Sequence, residues 1–143
     1  MGRAESSEVE AKMTIHGYPN VYAIGHKAIA ELFSGPVTVE EKIDGSQFSF
    51  GVIDGELQCR SKGQPIIVDA PEKMFADAVA SFKSISARLK PEWVYRGEYL
   101  QKPKHNALEY SRIPQGNIII FDICPSLEYY ISNAEKVAEC EMI

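Results

Sequence analysis

The sequence predicts an α+β domain in which a mostly antiparallel sheet packs against helices. Three observations carry this. Residues Val37–Ser61 hold three alternating runs separated by Asp44-Gly45 and Asp54-Gly55, the pattern of a meander. Phe75, Ala78, Val79, Phe82, Ile85 and Leu89 trace an apolar stripe of helical period. Trp93–Leu100 and Asn117–Ile123 are further apolar runs of strand length. At 143 residues and 45% hydrophobic content, the chain is about one domain with a real core.

Taken in order, residues 1–13 are charged and small without a period and read as a flexible tail, with one domain over 14–143. Tyr18-Pro19-Asn20 signals a turn. Ala28, Ile29, Leu32 and Phe33 recur at helical spacing and predict a short helix ended by Gly35-Pro36. Strands are expected near 37–43, 47–53 and 56–61. The first puts Thr38, Glu40, Lys42 and Asp44 on one face, and the second aligns Phe48, Phe50 and Val52. Asp69-Ala70-Pro71-Glu72 reads as the start of a helix over 71–89. A strand over 93–100 places Val94, Arg96 and Glu98 on one face. Residues 101–116 form a long loop carrying Lys102, Lys104, His105 and Arg112, a length that suggests function or mobility. The continuous run at 117–123 predicts a central, doubly buried strand whose Asp122 needs a partner. Tyr129–Ile131 is a further candidate strand. Ser132-Asn-Ala-Glu135 is a capping box opening a last helix.

Composition narrows the function classes. A net charge of −5 argues against nucleic-acid binding through bulk positive charge, while leaving room for a local basic patch. The apolar runs are too short to span a membrane, and the first residues lack the apolar core of a signal peptide. Cys59, Cys124 and Cys140 are odd in number and widely spaced, which fits reduced thiols of a cytoplasmic protein with no disulfide partner.

The residue that stands out is Lys42, a lone lysine carried into the Asp44-Gly45 turn. A lysine acts as a nucleophile when neutral, a state favoured by burial, nearby cations or a bound metal ion. The plain alternative is a solvated strand lysine paired with Glu40. Arg60 and Lys62 are two cations at a strand end, and their equal parity leaves open which of them faces a ligand. Glu98 follows Gly97, a residue that lets a ligand approach the backbone closely. Its alternative is an ion pair with Arg96. Phe121 alone reads as core, whereas a buried Asp122 carboxylate is costly unless paired. The three histidines lack metal spacing.

Four of these segments resemble, in order, the motifs of ATP-dependent nucleotidyltransferases. Glu41-Lys-Ile-Asp-Gly45-Ser-Gln47-Phe resembles the Lys-x-Asp-Gly element of ligases and capping enzymes, and its frame is most similar to the phage RNA ligase that seals nicks in double-stranded RNA. Cys59–Gly63, Tyr95-Arg-Gly-Glu98 and Ile118–Ile123 resemble the next three. The resemblance implies an ATP-grasp-like nucleotidyltransferase fold, ATP with Mg²⁺ or Mn²⁺ as cofactors, and RNA ends as partners. It implies that Lys42 forms a lysyl-AMP, with Glu41, Ile43, Asp44, Gly45 and Gln47 beside the nucleotide. Arg60 or Lys62 would contact the nucleotide or an acceptor phosphate. Glu98 would hold the ribose and touch a metal through water, Phe121 would stack on adenine, and Asp122 would orient neighbours from the opposite face. The family continues with a Glu-Gly strand and a Lys-x-Lys strand. Neither is in this sequence, where the late charges Glu135, Lys136 and Glu139 fall in the last helix. The expectation is therefore the first part of a transferase domain, apparently truncated. The rivals are a DNA ligase, an mRNA-capping guanylyltransferase, and a non-catalytic nucleotide- or RNA-binding fragment.

Overall fold

A computed structural model describes residues 15–126 and 129–143, so the tail predicted over 1–13 lies outside the described residues. Five strands form one sheet: β1 Ser46–Ile53, β2 Glu56–Ser61, β3 Pro65–Ile66, β4 Val94–Tyr99 and β5 Ile118–Cys124. Their order is β3-β2-β1-β4-β5, and every neighbouring pair is antiparallel. Two α-helices accompany the sheet, α1 Ala76–Ile85 and α2 Asn133–Met142.

Alternation along β1 sorts the two faces. Phe48 and Phe50 point to one side, with Cys59, Tyr95, Tyr99 and Ile123 from the neighbouring strands, and all are buried. Helix α1 covers this side with Ala78, Val79 and Phe82. The Phe50 and Phe82 rings stack at 3.8 Å between centroids, and Tyr95 stacks on Phe50 at 5.3 Å. The hairpin between β1 and β2 turns at Asp54 (φ 50°) and Gly55 (φ 81°), two successive positive φ angles that match the predicted Asp-Gly turn.

Other expectations are corrected. Residues 37–43 are extended but belong to no strand. Alternation sorts faces without supplying a pairing partner, and Val39 is 88% exposed. In place of a helix over 25–33 there are two 3₁₀ turns, Lys27–Ile29 and Leu32–Ser34, and neither buries a residue. The apolar spacing there meets no surface to pack on. The helix predicted over 71–89 is a 3₁₀ turn Lys73–Phe75, then α1, then a 3₁₀ turn Ser86–Arg88; extended backbone at Glu72 delays its start. The run at 117–123 is a strand, but it lies at the sheet edge and not at its centre. Tyr129 forms only an isolated bridge to Ser126. The capping box is present, with Ser132 and Glu135 bonding each other's backbone N–H.

Helix α2 docks through two buried charges. Glu139 accepts a hydrogen bond from the Tyr95 hydroxyl at 2.8 Å and pairs with Lys90 at 3.1 Å. Lys136 donates to the Phe121 carbonyl at 3.1 Å and to Glu40 at 2.8 Å. Both partners are needed, because a buried charge without them is expensive.

Candidate active site

Lys42 stands between two anchors. Two residues upstream, Glu40 is held by Lys136. Two residues downstream, Asp44 is held by the long loop 101–116. Its Oδ2 accepts from the backbone N–H groups of Ala107 and Leu108, each at 2.8 Å. Asn106 donates to Asp44 Oδ1 at 3.4 Å and to the Gly45 carbonyl at 2.8 Å. The Asp44 N–H in turn donates to the Tyr110 hydroxyl at 2.8 Å. Lys42 itself is exposed and has no ion pair among the described residues. The expected alternative, a Lys42–Glu40 pair, is overturned because Glu40 belongs to Lys136. The bonds from Leu108 first, then Ala107 and Asn106, hold the Asp44 carboxyl below the usual carboxylate range, with the Lys42 charge adding to them.

Glu98 lies beside the bend at Gly45. Its Oε1 accepts from the Gly45 N–H at 3.2 Å. Gly45 must be glycine here: a Cβ would collide with the Tyr99 carbonyl oxygen. Burial pushes the Glu98 carboxyl up; the Gly45 N–H and the charges of Lys42 and Lys62 pull it back, while Asp44 raises it further. Lys42, Asp44 and Lys62 thus all act electrostatically on Glu98, and Gln47 is its cross-strand partner on β1. The expected Glu98–Arg96 pair does not form. Glu41 is exposed and Ile43 half-buried beside Lys42.

A second row of side chains crosses the polar face of the sheet. Register places Arg60 opposite Ser49, Ser49 opposite Arg96, and Arg96 opposite Asp122. Arg96, only 4% exposed, donates to Ser49 Oγ at 2.9 Å and to the His16 carbonyl at 2.6 Å. Arg60 donates to the Ile15 carbonyl at 3.3 Å. Residues 15–18 are thereby strapped across this face. Both guanidinium Nε atoms are buried without a partner, and neither arginine forms an ion pair among the described residues. Burial lowers the Arg96 pKa, partly offset by Tyr130, Cys124 and Tyr18.

The strap ends on the edge strand. Ladder register shifts between Arg96 and Gly97, so Phe121 has no residue opposite it. With this bulge, Tyr18 meets both neighbours: its ring lies edge-on to Phe121 at 5.2 Å, and its hydroxyl donates to Asp122 Oδ2 at 2.6 Å. Tyr18 is therefore the partner Asp122 needs, and the two side chains do not work from opposite faces. Burial raises the Asp122 carboxyl, opposed by the Tyr18 bond and the Lys136 charge.

The structure gathers Lys42, Asp44, Gly45, Gln47, Lys62 and Glu98 at one end of β1, with Arg60, Phe121 and Asp122 in the row beneath the strap. Arg96, Tyr18, Asn106 and Tyr110 were not selected from sequence. Arg96, in phase with Glu98 on β4, was weighed only as an ion-pair partner; the others lie far off in sequence and leave no signal. His105 is latched on both ring nitrogens, to the Ser46 hydroxyl at 2.8 Å and the Gln101 N–H at 3.1 Å. Among the described residues no three His, Cys, Asp or Glu side chains cluster as a metal cage. Glu98 Oε2, with no hydrogen bond among these residues, fits the single-carboxylate mode in which Mg²⁺ is otherwise held by water and phosphate. Among the described residues no helix is long and apolar enough to cross a membrane.

A search of curated proteins finds no match. A family model described as RNA ligase matches residues 35–141, a span that runs from the segment before Lys42 into α2 and takes in the strands that carry the site. The chain belongs to the RNA ligase family.

Proposed function

We propose that this chain provides the nucleotide-transfer residues of an ATP-dependent RNA ligase of the phage nick-sealing type, built on an ATP-grasp-like nucleotidyltransferase fold. The Lys42 amine attacks the α-phosphorus of ATP; a P–N bond forms as the nitrogen sheds its protons to solvent, the bond to the β-phosphate oxygen breaks, and pyrophosphate leaves. An RNA 5′-phosphate then displaces the lysine and takes the AMP. A 3′-hydroxyl attacks that activated phosphate, AMP departs, and the strand is sealed. The observation that carries this reading is a lysine without an ion pair, between two residues each fixed by distant partners. Such fixing holds the nucleophile near its attack geometry without occupying its amine.

The other residues divide the work. Glu98 would accept from the ribose hydroxyls and would be the carboxylate on the Mg²⁺ side of the site, where the ion would supply neutralising charge to the triphosphate. Lys62 lies toward the phosphates. Arg60 faces an acceptor phosphate once residues 15–18 move, and Phe121 offers its ring to adenine in place of Tyr18. Asp44 works through the turn it clasps, not on the nucleotide. RNA ends in the cytoplasm are the proposed partner.

The test is incubation with α-labelled ATP and Mg²⁺ followed by a denaturing gel. Label should stay on the wild-type chain and fall by at least about 100-fold in Lys42→Ala, as for loss of a covalent nucleophile. The Glu-Gly and Lys-x-Lys strands of the resembling enzymes are not among these 143 residues. The chain is labelled with ATP and with GTP in parallel. If it accepts label from neither, the nucleophile reading is wrong. Label from GTP alone converts it to a capping-type reading.

A further inference from the structure

The loop 101–116 has a shape of its own. Leu100 and Asn117 close its base through two hydrogen bonds, at 2.8 and 2.9 Å. The Tyr110 N–H donates to the Pro103 carbonyl at 2.9 Å, and Lys104 bridges Glu109 to form a waist. Its inner rim is the clasp on Asp44 and Gly45, and His105 adds a bond to Ser46. The loop is thus fastened to the backbone immediately after Lys42.

The loop carries net positive charge. Lys102, Lys104 and Arg112 are exposed, and none forms an ion pair among the described residues. Glu109 is the one acidic residue between 101 and 116, in a chain whose net charge is −5. Exposed lysines on a free loop are ordinary solvated charges. Here they are mounted on a closed loop bonded to the nucleophile turn, so their positions relative to Lys42 are set. Local positive charge on an acidic body is what phosphodiester recognition requires.

We propose that loop 101–116 is a docking arm for the sugar–phosphate backbone of the RNA strand being joined, with Lys102, Lys104 and Arg112 gripping its phosphates. The Asp44 clasp turns that grip into alignment: a strand held by the arm is placed relative to Lys42 through five hydrogen bonds. Phosphate contacts fix register without reading bases, so the arm sets position and not sequence preference.

This inference deepens the RNA-ligase reading and rests on it, but the two are tested apart, since adenylate labelling needs no RNA and RNA binding needs no label. The experiment measures binding of a 5′-phosphorylated single-stranded RNA, fluorescently tagged at its 3′ end, across a salt series. The chain is compared with the triple variant Lys102→Gln/Lys104→Gln/Arg112→Gln and with a charge-matched control, Lys27→Gln/Lys73→Gln/Lys83→Gln. Each lost phosphate contact on a single strand lowers the log–log salt slope by about 0.7, so the arm variant should lose a slope of about 2. At about 0.1 M salt its affinity should fall by roughly 10- to 100-fold, while the control stays within about twofold. Thermal melts of both variants within a few degrees of the parent exclude unfolding as the cause. Equal losses in both variants, an unchanged arm variant, or a parent chain that binds no RNA even at low salt overturns the arm.

Discussion

The two faces of the sheet are built from alternate residues of the same strands, yet they are held by different physics. On one, Phe48 and Phe50 close against Phe82 of α1, Tyr95 stacks on Phe50, and the contacts between the rings are apolar. On the other, Ser49, Arg60, Arg96 and Asp122 form a polar row, bonded to carbonyls and a hydroxyl from residues 15–18, with the Arg60 and Arg96 Nε atoms buried without a partner. Packing makes the first face rigid. The second is held by a few directed bonds to a separate segment, so it can be exposed by moving that segment while the sheet stays intact. A binding face of a ligase belongs on the second kind of surface, where groups are positioned without being filled in.

Substitutions that act on one face and spare the other sharpen this contrast. The largest effect is expected for Phe50→Ala, which removes a fully buried ring stacked on two others. Urea denaturation should show a loss of about 3–5 kcal/mol, enough to unfold much of the population. On the polar face, Arg96→Ala leaves Ser49 Oγ and the His16 carbonyl without their donor. The same measurement should give about 1–3 kcal/mol, with part of the loss recovered in Arg96→Lys, since one terminal nitrogen makes both bonds. If Arg96→Ala costs as much as Phe50→Ala, the polar row is core and the contrast fails.

Two carboxylates set the faces of the site apart by pH. Asp44 titrates below its unfolded value of 3.8, so its contribution is present above that value and is lost as pH falls through the folded pKa. Asp122 titrates above 3.8, so its burial disfavours the folded state progressively as pH rises from that value through the folded pKa. Thermal melts from about pH 2 to about pH 6 should therefore diverge. Asp44→Asn flattens the acid side, and Asp122→Asn flattens the decline above 3.8. Matching profiles for the two variants would show that the clasp and the strap do not differ electrostatically. The smallest effect belongs to Ser132→Ala, which removes the cap of α2 and should cost about 1 kcal/mol in the same denaturation assay.

Local patterns in the sequence were reliable where local geometry decides. The Asp54-Gly55 turn, the Phe48–Phe50 alternation and the Ser132–Glu135 box all appear as read, because each is settled within a few residues. The 37–43 segment and the edge position of β5 were misread, since alternation and apolarity say nothing about which strand lies beside them. The site divided in the same way. Lys42 and Glu98 were singled out from local pattern, and the structure brings them to one end of β1. The strap of Tyr18 and the clasp of Asn106 and Tyr110 join residues 61 to 104 positions apart, and no pattern in either segment announces its partner.

That separation has a consequence for how the chain acquires its site. Every hydrogen bond of the clasp runs from Asp44 or Gly45 to residues 106–110, a chain separation of 61 to 66. A ribosome that has released only the first hairpin has made Lys42 but cannot hold it. The loop-closure entropy of that span is recovered only after β4 has joined β1 and the following loop has folded back. A chain made only as far as the first hairpin thus carries the lysine without its setting.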